Sequence, residues 1–296
     1  MIVFLNGRFV PEAQAVVSVF DRGFLYGDGV YETIAIFNGE PFRWDPHMDR
    51  FRSGLEFLKI SIPFTLAGLR DHTRDLAKRN KMPNCLARLT VSRGVGRRGY
   101  SPVGANSPSL VLCLHPASAV DSRKPPRWNL ITSTIRLPAH EPLAHFKTCT
   151  KVHQILARAE ADAAGADDAL LLNTAGYVVE GSSSNLFWLH DKTVCTSPLP
   201  SGVLPGVTRL VVLELCRKMD LKTRELNILP KRLLRTDGVF LSLTSLGIVE
   251  CKSIDGTALW RSRLVQDLSV AYWDLVKKET GAEPGQVERS RRRRKK

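Results

Sequence analysis

Two lysines stand four apart in HFKTCTKVHQILARAEA, residues 145–161, at the front of a stretch with helical spacing. A lysine where a loop meets a helix can project into a cleft, where loss of water lowers its pKa and leaves the amine nucleophilic toward a carbonyl. Lys147 precedes the helix body, and Lys151 sits at the edge of an apolar stripe of Val152, Ile155, Leu156 and Ala159. By spacing alone, both also read as ordinary surface lysines. Glu180, in GYVVEGSSSNLFW, lies between an apolar strand pattern and a Gly-Ser run. It can be a turn residue, or, given a buried cationic ring nitrogen as partner, the carboxylate that keeps that ring protonated and electron-withdrawing.

Anion sites are the third ingredient. GVLPGVTRL places Gly206 and Val207 just before a helix with Thr208 in its first turn, where free N–H groups and the helix dipole favour a phosphate. LSLTSLG offers a second cradle through Thr244 and Ser245, and the Arg50 fork can pair with a phosphate in bidentate fashion. Each feature has an ordinary counterpart in helix capping or a solvated arginine. No G-x-x-x-x-G-K-[ST] loop, no G-x-G-x-x-G after a strand and no G-x-S-x-G elbow occurs. His140, His145 and His153 lack the spacing that puts two imidazoles on one helix face, so no metal site is expected.

The elements that must carry these residues read as an α+β chain of two domains. IVFLNGRFV and GVYETIAIFNGEPF are apolar runs broken by Asn-Gly, a hairpin signal. Asp45 is placed to cap a helix whose Met48, Phe51, Leu55 and Leu58 share a face, and LAGLRDHTRDLAKRN follows as a second helix. Strands CLARLTVSRG and SLVLCLHP complete a small α/β domain over 1–118. The non-periodic, proline-bearing stretch 119–128 reads as the link. A larger domain over 129–280 then holds strands NLITSTI, ALLLN, NLFWL and VFLSL, a hairpin through TAGYVVEG, and helices VTRLVVLELCRKM and LVQDLSVAYWDLVKK. Residues 281–296 read as a disordered basic tail.

In that tail the last eight residues form a run, RSRRRRKK, that carries +7, half of the formal net charge of +14. It suits loose polyanion attraction or mere solubility, with no specific nucleic-acid site implied. No apolar stretch is long enough to span a membrane, and six scattered cysteines without a C-x-x-C pair read as reduced packing residues, so a cytoplasmic enzyme is expected.

Six local wordings occur in a fixed order: FDRGFLYGDGVYET, HMDR, RG-x-G-x-RGYSP, K-x-x-x-K-x-x-Q-x-LARAEA, EGSSSNLF and LPGVTR. Together they resemble the class IV aminotransferase family of pyridoxal-phosphate enzymes, over essentially the whole chain except the tail. The resemblance implies fold type IV, like D-amino-acid aminotransferase, with pyridoxal 5'-phosphate between the two domains of a homodimer. It implies Lys147 as the Schiff-base lysine and Glu180 as partner of the pyridine nitrogen. Arg50, Val207, Thr208, Thr244 and Ser245 would hold the phosphate, and Tyr31, Arg98 and Tyr100 would face the substrate. Thr150 and Lys151 stand where the family often has an Asn-containing pair.

For this family the resemblance implies that the substrate amine displaces Lys147, which then acts as general base. Whether transamination or elimination follows depends on the pocket. The RG-x-G-x-RGYS loop, the basic Lys151 ahead of HQILARAE, and NLFW are similar to the aminodeoxychorismate lyase branch, which releases pyruvate and 4-aminobenzoate for folate synthesis. That lyase is the leading expectation. DGVYET and EGSSSN suit branched-chain or D-amino-acid transaminases equally, which makes a transaminase the alternative. A non-catalytic polyanion-binding protein on the same fold is the remote third expectation.

Overall fold

A computed structural model describes residues 1–282 apart from 119, 122 and 123. The basic run therefore lies outside the described residues.

Asn6-Gly7 and Asn38-Gly39 both turn with positive φ at each centre, 47° and 88° in the first and 53° and 80° in the second. This is the type I′ geometry that matches strand twist. These turns join β1 (Ile2–Leu5) to β2 (Arg8–Pro11) and β3 (Gly29–Phe37) to β4 (Glu40–Pro41). With β5 (Cys85–Ser92) and β6 (Ser109–Pro116) they form an antiparallel sheet in the order β2-β1-β6-β5-β3-β4. A short α1 (Arg22–Tyr26) precedes β3, while α2 (Trp44–Leu58) and α3 (Leu66–Arg79) bury Phe51, Leu55, Leu69 and Leu76 against one sheet face. Asp45 does not cap α2. It lies in the first turn, where its charge complements the dipole, and the N-cap is Arg43, without a side-chain cap.

The chain enters the second sheet at β7 (Arg127–Leu137). Helix α4 (Val152–Ala163) crosses to β8 (Asp168–Asn173), which runs parallel to β7, as a helical crossover requires. All six residues of β8 are buried because both its faces are covered. Leu170 and Leu172 point into one core, and Ala169 and Leu171 pack under α4. The rest comprises β9 (Val178–Gly181), β10 (Asn185–His190), β11 (Thr193–Thr196), α5 (Val207–Lys218), β12 (Thr223–Glu225), α6 (Pro230–Leu233), β13 (Gly238–Leu243), β14 (Gly247–Ile254), β15 (Thr257–Ala258) and α7 (Arg263–Thr280). The ladder β10-β13-β14-β7-β8-β9 closes on itself where Asn185 pairs with Glu180. A residue expected to do chemistry thus sits at the seam of a barrel.

The expected buried stripe of α4 is reversed. Val152, Ile155 and Leu156 are 60%, 64% and 47% exposed, while Ala157 and Ala161 are fully buried. Two alanines one turn apart let the helix close onto β8, and the bulkier side chains are left outside.

The two sheets share a core. Ala35, Phe37 and Phe42 pack against Val211 and Leu215 of α5 and Tyr272 and Trp273 of α7. Arg43 adds ion pairs to Glu214 at 2.8 Å and Glu279 at 3.3 Å. Val120, between the sheets, is buried in the same cluster.

Candidate active site

The Lys147 segment is sewn to the first sheet before it reaches α4. Val30 and Thr148 form an antiparallel bridge, Tyr31 N–H donates to the Lys147 carbonyl at 2.9 Å, and Cys149 N–H donates to the Gly29 carbonyl at 2.9 Å. Lys147 therefore stands where the first sheet meets the barrel, and its Nζ lies 4.7 Å from the centre of the Tyr31 ring. The side chain enters a cavity of about 380 Å³ whose walls also include Tyr31, Arg50, Lys151, Glu180, Val207, Thr208 and Thr244.

Burial is the main force on the Lys147 amine, and the nearby Arg50 charge adds to it. Together they outweigh the opposing pull of Glu32 and Glu180 and bring its pKa down to about 8. Lys151 is also shifted down, chiefly by burial. Glu180 moves the other way. Burial pushes its carboxyl up to about 7, against the lowering effect of the Leu204 N–H and of Lys151 and Lys147. Its Oε2 accepts from Leu204 N–H at 3.2 Å and from Asn185 Nδ2 at 3.4 Å. Among the described residues nothing donates to its Oε1.

Helix α5 begins at Val207 after Gly206, which provides no side-chain cap, so the first N–H groups of a twelve-residue helix stay available beside the cavity. Glycine leaves room for Asn185 there: a Cβ on Gly206 would fall 1.8 Å from Asn185 Oδ1, which would have to move. Thr244 joins this wall from the β13–β14 turn. Ser242, also in the wall, has a buried hydroxyl without a hydrogen-bond partner among the described residues.

Of the residues named from sequence, the cavity gathers Tyr31, Arg50, Lys147, Glu180, Val207, Thr208 and Thr244. Ser245, Arg98 and Tyr100 lie outside its lining. Arg98 and Tyr100 are exposed on the loop after β5, which the buried Arg22 pins through the carbonyls of Gly99, Tyr100 and Ser101. Sequence reading missed Glu32, His47, Asn185 and Ser242. A signal for Glu32 exists: it is the one acidic residue in GVYETIAIF, at an inward position of an apolar strand. Among the described residues, the one His/Asp group close enough to share an ion is His190, Asp191 and Asp237, exposed and outside the cavity lining.

The chain matches the sequence pattern of amino-transferase class IV over residues 29–254. The chain belongs to the class IV aminotransferases. A putative branched-chain-amino-acid aminotransferase of Methanocaldococcus jannaschii is 33% identical over 88% of this chain and 90% of its own length. The D-alanine aminotransferase of Bacillus licheniformis is 28% identical over 95% and 99%, and the aminodeoxychorismate lyase of Bacillus subtilis is 29% identical over 86% and 87%. The T.th. branched-chain amino acid aminotransferase, solved in complex with N-(5'-phosphopyridoxyl)-L-glutamate and with 4-methylvaleric acid, is 29% identical, with a TM-score of 0.85 over 96% of this chain and 95% of that one. Class IV aminotransferases are pyridoxal-phosphate enzymes of fold type IV. The residues present fit that cofactor: a desolvated amine, a buried carboxylate with one free oxygen, an open helix N-terminus and an orphaned serine hydroxyl share one cavity.

Proposed function

We propose that the protein is a pyridoxal-phosphate-dependent transaminase of branched-chain or D-amino acids, working as a cytoplasmic homodimer. The observation that carries this reading is the placement of Lys147, Glu180 and the open end of α5 around one cavity. When bound, the cofactor supplies a conjugated electron sink for the substrate's amine-bearing carbon. The protein does the rest. Amides of Val207 and Thr208, with Thr244 and Arg50, would hold the phosphate, and Ser245 follows Thr244 in the same turn. The Glu180 carboxylate would sit beside the ring nitrogen and keep that nitrogen protonated. The Lys147 Nζ, with its lowered pKa, would hold the cofactor and would serve as the general base that moves a proton at the reacting carbon. The backbone hydrogen bonds that tie the Lys147 segment to β3 fix where its side chain enters the cavity.

Transamination asks nothing of the site beyond these groups, and the 33% identical relative supports it by name. A second reading, loss of pyruvate from aminodeoxychorismate, is favoured by a specific feature: the basic Lys151 lines the cavity where the lyase wording has arginine. Homodimerisation is supported by unpartnered apolar surface. Val16, Val17, Val19, Phe20 and Phe24 are exposed ahead of and within α1, and Ile155 and Leu156 face outward on α4. For Arg98 and Tyr100 to meet substrate, a second copy must bring them, since they do not line the cavity of their own chain.

The test is the near-visible spectrum of the purified protein with L-leucine, L-glutamate and D-alanine added separately, without a keto acid. Stoichiometric conversion of the cofactor band to the pyridoxamine form by one donor names that donor. A band unmoved by every donor, with 4-aminobenzoate formed from aminodeoxychorismate, would replace transaminase by lyase.

A further inference from the structure

The charge inventory of the cavity leaves one cation uncommitted. Arg50 gives Nε and one N–H of Nη2 to Glu32 and one N–H of Nη1 to the Pro205 carbonyl. Lys147 is consumed as an amine by the chemistry proposed above. Arg98 is exposed outside the cavity of its own chain, so within one chain it is not a candidate. Lys151 remains. It stands in the wall at the N-cap of α4, with non-helical backbone (φ −126°, ψ 27°), and among the described residues its amine has no hydrogen bond and no ion pair. An uncommitted ammonium beside an apolar wall of Leu137, Leu143 and Val152 is arranged to receive an anion attached to a short apolar skeleton.

We infer that Lys151 is the carboxylate-selecting residue of the cavity, pairing with the negative end of the amine substrate. This rests on the transaminase reading only for the identity of the cavity as the substrate site. The same ammonium would meet a carboxylate of a cyclic lyase substrate, so the assignment concerns charge and not the reaction that follows. It also explains a departure from the family's usual wording. Where an Asn-containing pair is common, Thr150 is exposed and the Lys151 amine stands in the cavity wall at the N-cap of α4.

The test uses holoenzyme and an amine-free acid that cannot react. The dissociation constant of 4-methylvalerate is measured calorimetrically for the parent, Lys151→Gln, Lys151→Met and Lys151→Arg, with the uncharged amide of the same skeleton as comparison. The near-visible band of each variant reports that the cofactor is still seated. The acid is expected to bind about tenfold or more weakly to the Gln and Met variants, and within about threefold of the parent to the Arg variant, as for loss or retention of a charge-assisted contact. Amide binding is expected to stay level across the set. Acid binding unchanged in both neutral variants, or equal losses for acid and amide, would overturn the assignment. If Lys151→Gln does not accumulate as folded protein, the Met and Arg pair alone decides between these outcomes. Loss of acid selectivity in a holoenzyme that converts no amino donor would sink the transaminase reading and leave Lys151 in place.

Discussion

Arg50 and Glu32 meet in a two-pronged pair, Nε to Oε1 and Nη2 to Oε2, both at 2.7 Å, and Glu32 has no exposed surface. His47 Nδ1 reaches the same Oε2 at 2.8 Å. The third prong of the guanidinium, Nη1, donates to the carbonyl of Pro205, immediately before the cradle residues Gly206 to Thr208. One arginine therefore fastens β3 and α2 of the first sheet to the loop that opens α5. Glu32 acts through Arg50 as a positioning residue. Burial alone would raise its carboxyl, but the nearby Arg50 charge, helped by His47, carries it down to about 2.

Glu32→Gln should cost roughly 3 to 5 kcal/mol at neutral pH, because it leaves the buried arginine without its counter-charge. The sign in acid follows from the lowered pKa. Glu32 stabilises the fold fully above its ordinary 4.5, and that contribution fades as pH falls toward 2. Denaturant titrations should show the gap between parent and variant wide at pH 7 and closing between about 4.5 and 2. A gap that held constant to pH 3 would refute the pairing as its source.

The legible and illegible parts of this molecule divide by physical cause. Lys147, Glu180 and the Gly206-Val207-Thr208 run, which share one cavity, were singled out by the ordered wordings of the family resemblance, because their local signatures alone equally suit surface lysines, turns and caps. Both Asn-Gly hairpins were legible from the turn dipeptide itself. Partners such as Glu32 with Arg50, 18 residues apart, or Asn185 with Leu204, 19 apart, meet only through tertiary packing. The α4 stripe misled because apolar periodicity marks a face without saying what covers it, and here alanines won the core. Strand β14 escaped notice because Glu250, Cys251 and Lys252 interrupt its apolar run, although Glu250 is buried and paired with Arg127 at 2.9 Å.

Which of the two lysines holds the cofactor has a direct answer. Borohydride reduction of the loaded enzyme, followed by peptide mass spectrometry, should place the pyridoxyl mass on Lys147 and leave Lys151 unlabelled. Lys147→Ala should lower kcat at least about a thousandfold, as for loss of a nucleophile and base. Lys151→Ala should retain the label at position 147. A pyridoxyl mass on Lys151 in the parent protein would reverse the assignment.

The lowered pKa of Lys147 predicts a pH profile for cofactor capture by protein stripped of it. The neutral amine is the nucleophile, and its fraction rises as pH approaches about 8 from below. The second-order rate of recapture, followed by absorbance, should climb about tenfold per pH unit below pH 7 and level off above about 8. An unperturbed lysine would keep climbing past pH 9. Because burial disfavours the ammonium in the folded state, the stripped protein should also gain stability between about 8 and 10.5 as the amine is deprotonated.

Gly206→Ala tests the cradle against a matched control. The added methyl would lie 1.8 Å from Asn185 Oδ1, so Asn185 must give way. Its Nδ2 donates to the Leu204 carbonyl at 2.9 Å and reaches Glu180 Oε2 at 3.4 Å, so displacement would disturb the loop before α5 and the Glu180 carboxylate together. The variant should fold but hold pyridoxal phosphate about tenfold or more weakly, measured by equilibrium dialysis, and its absorbance band should shift with Glu180. Gly39→Ala, in an exposed turn at φ 80° with nothing within 4 Å of the new methyl, should lose about 1 kcal/mol of stability through strain alone. Its cofactor affinity should match the parent's. Equal cofactor affinity in both variants would show that the approach of Asn185 to Gly206 has no part in holding the ligand.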